Sequence, residues 1–292
     1  MNFSSFHLII IPLRFSMLLM LLMASHLLGA QNQGQYVSRT FRGTRVINGH
    51  SVEMLREGEL DFLISHRFGR LNGGFYELFG LDQATIRFGL EYGLKNWLNV
   101  GVGRSSVGKH YDAFVKLRLL PQAVQGGSPL SLNYFGSAAI NTLKPPSPEL
   151  PLPLQDRLAF THQLLIARKW NERLSTQLMP TLVHYNLVDQ RSLPNDVFSL
   201  GAAFRYRITK NVALLAEYYY VLPGQLPADK KHALSLGVDI NTGSHVFQLH
   251  LTNSRGMIEK VFVGETTGDW LKGDIHLGFN IARTFKVKGR RY

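Results

Sequence analysis

The stretch that decides the fold is ATIRFGLEYGLKNWLNVGV, residues 84–102. Apolar residues alternate with polar or small ones over 84–92, the sequence GLKN then turns the chain, and the alternation resumes at Leu98. A strand with lipid on one side and a lumen on the other needs this period of two, because successive side chains point to opposite faces. Only a closed sheet leaves no unpaired backbone groups in hydrocarbon. The stretch therefore predicts two neighbouring strands of a transmembrane β-barrel.

The same alternation recurs along the chain and predicts an all-β fold, a closed antiparallel transmembrane β-barrel of about twelve strands. Most of the segments have the roughly 9 to 11 residues that a tilted spanning strand requires. Pro180 interrupts the seventh segment and predicts a bulge or a shifted register there. The predicted strands are residues 57–68, 84–92, 97–103, 111–119, 130–140, 158–168, 174–185, 197–207, 211–220, 233–240, 245–251 and 274–285.

The connections between these segments alternate in length. Tight turns at residues 94–96, 170–172, 209–211 and 241–243, and a moderately short link at 121–129, follow even-numbered strands. The longer links follow odd-numbered strands. Outer-membrane barrels place short turns on the periplasmic side and longer loops outside, whereas a soluble sandwich has no reason to separate its loop lengths in this way. The pattern therefore predicts short periplasmic turns, longer extracellular loops and a location in the outer membrane.

The first thirty residues resemble a secretory signal peptide, with a single positive charge at Arg14, a short apolar core and small residues before Ala30. An uncleaved anchor is the alternative, because the apolar stretch is nearly long enough to span a membrane. Residues 31–56 contain VINGHSV, whose Asn-Gly pair predicts a hairpin turn. We expect three regions: a signal peptide (1–30), an N-terminal periplasmic segment or lumen plug (31–56), and the barrel (57–292).

The amino-acid composition limits the classes of partner and the kinds of metal or disulfide site that the chain can have. The net charge is +12, which for an exported wall protein favours outer-membrane lipid and lipopolysaccharide as partners rather than nucleic acid. The chain has no cysteine, which excludes disulfides and thiolate metal sites. The sequence predicts no cofactor and no metal site. The barrel assembly machinery is expected to act during insertion, a periplasmic partner could bind residues 31–56, and the oligomeric state is left open.

Several motifs resemble a known family. They are NGHSVE at residues 48–53, SHRFG at 65–69, ELFGLDQATIR at 77–87 and GRSS at 103–106. Together they resemble a β-barrel family of Bacteroidota, domain of unknown function 5777, over essentially the whole chain after residue 30. The resemblance implies an exported barrel. The family lends no activity, so no catalytic residue is carried over from it.

The parity of each strand predicts which charged and imidazole side chains line the lumen. Charges of both signs are typical of a salt-bridged, filled interior, because an unpaired charge away from water is costly. A surplus of Arg and Lys would instead select anions in an open pore. The lumen-lining candidates are Asp61, Arg67, Arg87, Glu91, Lys116, Arg118, Arg205, Arg207, Glu217, His250, Asp274 and His276.

Three functions are compatible with this pattern. The first is a non-enzymatic narrow channel or transporter for small solutes, with anions as one candidate class. The second is a structural or partner-docking barrel without conductance. The third is an outer-membrane lipid hydrolase, but a wall-borne Ser-His pair needs both residues on one strand face, and the chain contains no His-x-Ser. His232 and Ser235 are three residues apart and therefore point to opposite faces of a strand, and Ser235 is the serine on which that third hypothesis is tested.

Overall fold

The structure is a computed structural model and describes residues 35–144, 153–188, 192–242 and 245–287. The predicted signal peptide lies outside the described residues. Twelve antiparallel strands pair in chain order, and the last strand pairs with the first, which closes the sheet into a barrel. The predicted fold class is therefore confirmed. No helix among the described residues is both long and apolar enough to cross a membrane.

The observed strands begin within two residues of their predicted starts and end within three of their predicted ends. They are β1 (Glu59–Arg70), β2 (Ala84–Lys95), β3 (Leu98–Ser105), β4 (Tyr111–Leu120), β5 (Ser131–Ile140), β6 (Leu158–Lys169), β7 (Leu174–Tyr185), β8 (Asp196–Arg207), β9 (Val212–Val221), β10 (Ala233–Asn241), β11 (His245–Thr252) and β12 (His276–Lys286).

Strand β8 shows how the alternation separates the two faces of the wall. Phe198 and Leu200 are each 47% exposed and face outward, whereas Ser199 and Arg205 are buried and face the lumen. Because the barrel is closed, the outward row has only the membrane to contact, and large apolar side chains there are stabilised by lipid. The wall therefore has a lipid-facing apolar surface and a more polar inner surface.

Two expectations about the wall are wrong. Pro180 causes neither a bulge nor a register shift, because β7 pairs with β8 without interruption from Leu174 to His184. Pro180 points outward, and the strand keeps Met179 and Thr181 buried on the inner face. The separation of loop lengths also has an exception, since the link after β3 (residues 106–110) is shorter than the link after β4 (residues 121–130).

Two further parts of the chain lie against the inner surface. One is the N-terminal segment, residues 35–56, of which most residues from 40 to 52 are buried. The other is the loop segment, residues 253–275 between β11 and β12, which contains the short helix α1 (Glu259–Gly264). A barrel of eight strands is filled by its own side chains, so one of twelve strands has interior space for such segments.

Candidate functional site

The tip of the N-terminal segment is a small hairpin inside the barrel. Arg45 and His50 form an antiparallel bridge, and the Val46 N–H donates to the Gly49 carbonyl over 2.9 Å, which closes the turn. The hairpin turn predicted from the Asn-Gly pair is therefore present. The hairpin contacts strands on every side of the barrel, from β1 through β5, β7 and β9 to β12.

One carboxylate accepts hydrogen bonds from the end of the hairpin. The backbone N–H groups of Ile47, Asn48 and Gly49 all donate to the Glu217 carboxylate of β9, at 3.1 to 3.2 Å. A Cβ added at Gly49 would lie 2.0 Å from the hydroxyl of Tyr219, so only glycine permits this close approach. Three backbone donors on one carboxylate form an anion-binding nest in which the wall supplies the anion.

Wall side chains from four other strands bind the backbone of the same hairpin. The Gln177 amide of β7 accepts from the Val52 N–H at 2.9 Å and donates to the His50 carbonyl at 2.8 Å. In addition, the amides of Asn133, Gln248 and Asn280 donate to carbonyls of residues 52, 46 and 47 at 2.6 to 2.9 Å. Polar side chains of the inner surface therefore supply hydrogen-bond partners for the backbone of a segment that has little secondary structure of its own.

The loop segment enters from the opposite, extracellular end and is held mainly by apolar packing. The Phe262 ring lies 4.9 Å from the Tyr219 ring, and Ile258 and Val261 pack against Ala139 of β5. The Tyr185 hydroxyl donates to the Lys260 carbonyl over 2.6 Å. This inward turn was not predicted from the sequence, although the apolar residues Val261, Phe262 and Val263 in a long extracellular link could have indicated it.

The two inserted segments meet at a buried ion pair. Arg45 of the N-terminal segment lies 3.2 Å from Glu259 of the loop segment, and both side chains are almost fully buried. Burial raises the pKa of Glu259, and the neighbouring Arg45 opposes that rise. Burial also lowers the pKa of His50, whose ring lies between those of Phe114 and Phe135, so this imidazole is neutral. The ion pair therefore links the N-terminal segment, which enters from the periplasmic end, to the loop segment, which enters from the extracellular end.

Three of the lumen-lining candidates, Arg87, Glu91 and Lys116, form ion pairs on β2 and β4, and Asp61 forms a hydrogen bond to β12. Arg87 forms a bidentate pair with Asp112, and Lys116 lies 3.1 Å from Glu91. The Asp61 carboxylate accepts from the Thr284 hydroxyl over 2.9 Å. Both ion pairs are buried and join β2 to β4 across β3, so their partners belong to the wall and not to the segments that fill the lumen.

Other candidates face the N-terminal segment or lie near the ends of the barrel. Arg67, fully buried, donates to the Asn48 amide oxygen over 2.9 Å, and Arg118 interacts electrostatically with Glu53. Arg205 and His250 are buried on the inner face. At the periplasmic end Arg207 pairs with Glu172 of a turn at 3.4 Å.

Asp274 is placed differently from its prediction. It precedes β12 and belongs to an extracellular loop network, in which its carboxylate accepts from Arg70 at 3.0 Å and from Asn72 at 2.7 Å. The strand begins two residues later because these bonds hold the carboxylate outside the ladder. His276 is the first residue of β12 and borders the extracellular mouth.

Sequence reasoning missed several interior residues. Asp112 shares parity with Lys116 and Arg118 of its own strand and could have been found in that way, whereas no lumen residue was predicted on the strand of Asp239. The interior amides Asn133, Gln177, Gln248 and Asn280 carry no charge and give no comparable signal. Arg45 and Glu259 lie outside the strands, so parity does not apply to them.

Ser235 lies inside the barrel, which bears on the hydrolase hypothesis. Its hydroxyl accepts from the Asn48 amide and donates to the Thr252 hydroxyl, both at 2.8 Å. It is 1% exposed and has no access to the lipid-facing surface. Ser235 is therefore not placed as a nucleophile that faces lipid.

A model of one protein family matches residues 41–285, and it is described as a membrane-bound β-barrel domain, DUF5777. A closed barrel of this kind, with an apolar outer wall, resides in the outer membrane, so the predicted localisation is confirmed. The match agrees with the resemblance drawn from the motifs between residues 48 and 106.

Several solved barrels are similar in outline. A NanC porin is 10% identical, covers 78% of this chain and 99% of its own, and gives a TM-score of 0.48. The COG4313 outer membrane channel of Pseudomonas putida F1 is 11% identical over 80% and 97%, with a TM-score of 0.49. Outer membrane phospholipase A of Escherichia coli is 11% identical over 85% and 98%, with a TM-score of 0.45. Among curated proteins, none matches the chain. Likenesses this distant assign neither transport nor catalysis.

Proposed function

This chain belongs to the DUF5777 family of membrane-bound β-barrels, and we propose that it is a channel or transporter for small polar solutes, closed by its own N-terminal segment. In this proposal the role is non-enzymatic, and the passage opens when residues 35–56 leave the lumen toward the periplasm. An origin in the Bacteroidota stays a prediction from the motifs.

The observation that carries the proposal is the way in which the hairpin tip is bound. Its backbone donates to Glu217 and exchanges hydrogen bonds with Gln177, Asn133, Gln248 and Asn280. Water can replace each of these partners on both sides, so the net cost of separation is about 0.5–1.5 kcal/mol for each bond rather than its full strength. A filling that served stability alone would favour apolar contacts, because buried polar networks add little net stability.

The width of the barrel supports the same conclusion. Twelve strands enclose more space than their own side chains fill. The N-terminal segment and the loop segment occupy that space, so departure of the first leaves a water-accessible passage beside the second. A barrel with a purely structural role has no need of a removable filling.

Departure of the N-terminal segment would expose charges that it now covers. Arg67 would lose Asn48, and Arg118 would lose Glu53. Glu217 would lose its three backbone donors, and Glu259 of the loop segment would lose Arg45. The pairs formed by Arg87 with Asp112 and by Lys116 with Glu91 would stay neutralised. The passage would then carry two uncovered cations and two uncovered anions, so a preference for anionic solutes would depend on Arg67 and Arg118.

The chain has no cysteine, which permits a direct test of the plug. The variant Asn48→Cys/Ser235→Cys places two thiols where side chains now touch at 2.8 Å. In planar bilayers we expect the oxidised variant to lose its openings and to regain them after reduction. Each single-cysteine variant is the control, and mass spectrometry of the digested protein reports the cross-link.

Deletion of residues 31–56 provides the complementary measurement. We expect it to increase the open probability by tenfold or more. Openings that persist unchanged in the cross-linked protein would mean that solute does not use the space of the N-terminal segment. Absence of conductance in both the intact and the deleted protein would contradict the channel proposal altogether.

The preference for anions has a separate test. We expect the reversal potential across a salt gradient to shift toward cations in Arg67→Gln and Arg118→Gln. Arg168→Gln is the matched control, because Arg168 faces outward over the Trp170 ring. Equal reversal potentials in all three variants and the wild type would remove the anionic preference and leave the channel.

A partner-docking barrel is the second candidate, and one observation favours it. Residues 35–37 are extended and pair with residues 122–124 of a periplasmic link, through Val37 N–H to the Gln122 carbonyl at 2.8 Å. The opposite edge of this short strand is free of backbone partners among the described residues. A periplasmic strand could add to that edge. The test is a photoreactive residue in place of Tyr36. Cross-linking of one specific partner in cells, together with an absence of conductance in every variant, would favour docking over the channel.

A further inference from the structure

A cavity of about 520 Å³ opens at the extracellular mouth of the barrel. It lies between the link from β1 to β2 (residues 71–83) and the loop segment, and its volume is within the range of small-molecule sites. The residues that matter for binding are Asn72, Glu77, Gln83, Arg255, Thr267 and His276.

Two charged side chains of the cavity are unpaired among the residues that the structure describes. Neither Arg255 nor Glu77 has a hydrogen-bond or ion-pair partner among the residues that the structure describes, and they do not pair with each other across the space. The third charge, Arg70, is already satisfied by Asp274 at 3.0 Å. The cavity therefore offers one free guanidinium and one free carboxylate, held apart.

The backbone fixes the position of the carboxylate. Glu77 is followed by Leu78 and Phe79, both in the left-handed region with φ of 47° and 53°. Non-glycine residues are strained in that region, and such strain is typical of ligand-binding loops. The carboxylate of Glu77 lies directly over Gly73, where an added Cβ would be 2.3 Å from it.

Neutral polar groups complete the lining. The Nδ1 atom of His276 lies 2.9 Å from the Phe68 carbonyl, which assigns the proton to Nδ1 and leaves Nε2 as an acceptor. Gln83 and Thr267 add an amide and a hydroxyl. A ligand here meets one cation, one anion and hydrogen-bonding groups, and no large apolar surface.

We propose that this mouth cavity binds a small zwitterion, such as an amino acid or a short peptide, with its carboxylate on Arg255 and its ammonium group on Glu77. The inference rests on the proposed function in one respect, since the bound zwitterion is the solute that the channel admits. A simple anion would leave Glu77 facing a like charge, and a neutral saccharide would leave both charges without a charged partner.

Binding can be measured without conduction. The probe is glycylglycine, titrated by calorimetry into the full-length protein in detergent. The comparison probes are N-acetylglycylglycine, which keeps the carboxylate alone, glycylglycine amide, which keeps the ammonium alone, and glucose. We expect glycylglycine to bind at least tenfold more tightly than each of the three.

Two variants locate the site. Arg255→Gln and Glu77→Gln should each weaken glycylglycine binding by tenfold or more, and Arg255→Gln should abolish the advantage over glycylglycine amide. Arg104→Gln, at an arginine that stacks on Tyr111 outside the cavity, is the matched control and should bind as the wild type does. The shift of band mobility on heating in gels reports folding of every variant.

The outcomes separate this inference from the channel proposal. Equal binding of all four probes, or glycylglycine binding that survives both substitutions, would overturn the zwitterion site while plug-dependent conductance remained. Selective binding with no conductance in any variant would retain the site and contradict the channel.

Discussion

The two segments that fill the lumen differ in how the wall holds them. The N-terminal segment is bound through its backbone by polar side chains of the wall, above all by Glu217, and it also adds Phe41, Val46, Ile47 and Val52 to the buried apolar cluster. The loop segment is bound by apolar surfaces, with Phe262 against Tyr219 at its centre. Exposure of apolar surface costs about 25 cal/mol per Å², whereas hydrogen bonds to the wall are exchanged for bonds to water. The proposed departure of the N-terminal segment depends on this difference, because water can replace its hydrogen bonds to the wall.

Both segments also differ in their attachment to the barrel. The loop segment is tied to β11 and β12 at both of its ends, so it can rearrange only within the mouth. The N-terminal segment continues into β1 at residue 58, and its residues 35–37 make a short backbone pairing with residues 122–124. Their common contact, Arg45 with Glu259, means that movement of one alters the environment of the other.

The largest expected effect comes from removing the carboxylate that binds the hairpin tip. Glu217→Leu leaves three backbone N–H groups without an acceptor, at about 1–3 kcal/mol each. We expect hydrogen exchange at residues 46–49 to accelerate by about 100-fold or more, since each 1.4 kcal/mol is a factor of ten. Peptides covering residues 71–82, in the link between β1 and β2, are the internal control and should exchange as before. Unchanged protection at 46–49 would show that the tip is held by other contacts.

The converse change affects the loop segment. Phe262→Ala removes a fully buried ring and should cost about 3–5 kcal/mol of local stability. We expect faster exchange at residues 257–264 and little change at 46–49, measured by mass spectrometry. Leu271→Ala is the matched control in the same loop, because that side chain is 98% exposed. An equal increase of hydrogen exchange in both segments would mean that the two segments are not held by different kinds of contact.

The ion pair between the segments measures their coupling. Arg45→Met and Glu259→Gln, made singly and together, form a double-mutant cycle on the protection of residues 44–51. We expect a coupling free energy of about 1–3 kcal/mol, because a buried pair loses most when one partner is left alone. Additive effects of the two substitutions would mean that the segments are held independently.

The smallest expected effect is at Ser235. Ser235→Ala removes one hydrogen bond to Asn48 and should cost about 1 kcal/mol in the same exchange measurement. Ser175→Ala is a suitable control, since that buried hydroxyl has no hydrogen-bond partner among the described residues. A loss of lipid hydrolysis in Ser235→Ala alone would instead revive the hydrolase hypothesis.

The sequence alone predicted the closed barrel, the strand boundaries to within a few residues, and the hairpin turn at Asn48-Gly49. These features depend on local rules: a spanning strand must alternate because lipid contacts one of its faces, and Asn-Gly favours a tight turn wherever it occurs. Only the tertiary structure decided what fills the lumen. Glu217 and Ile47 are 170 residues apart, and nothing local in either indicates the other. Such contacts depend on closure of the whole sheet, which brings every strand within reach of one inserted segment.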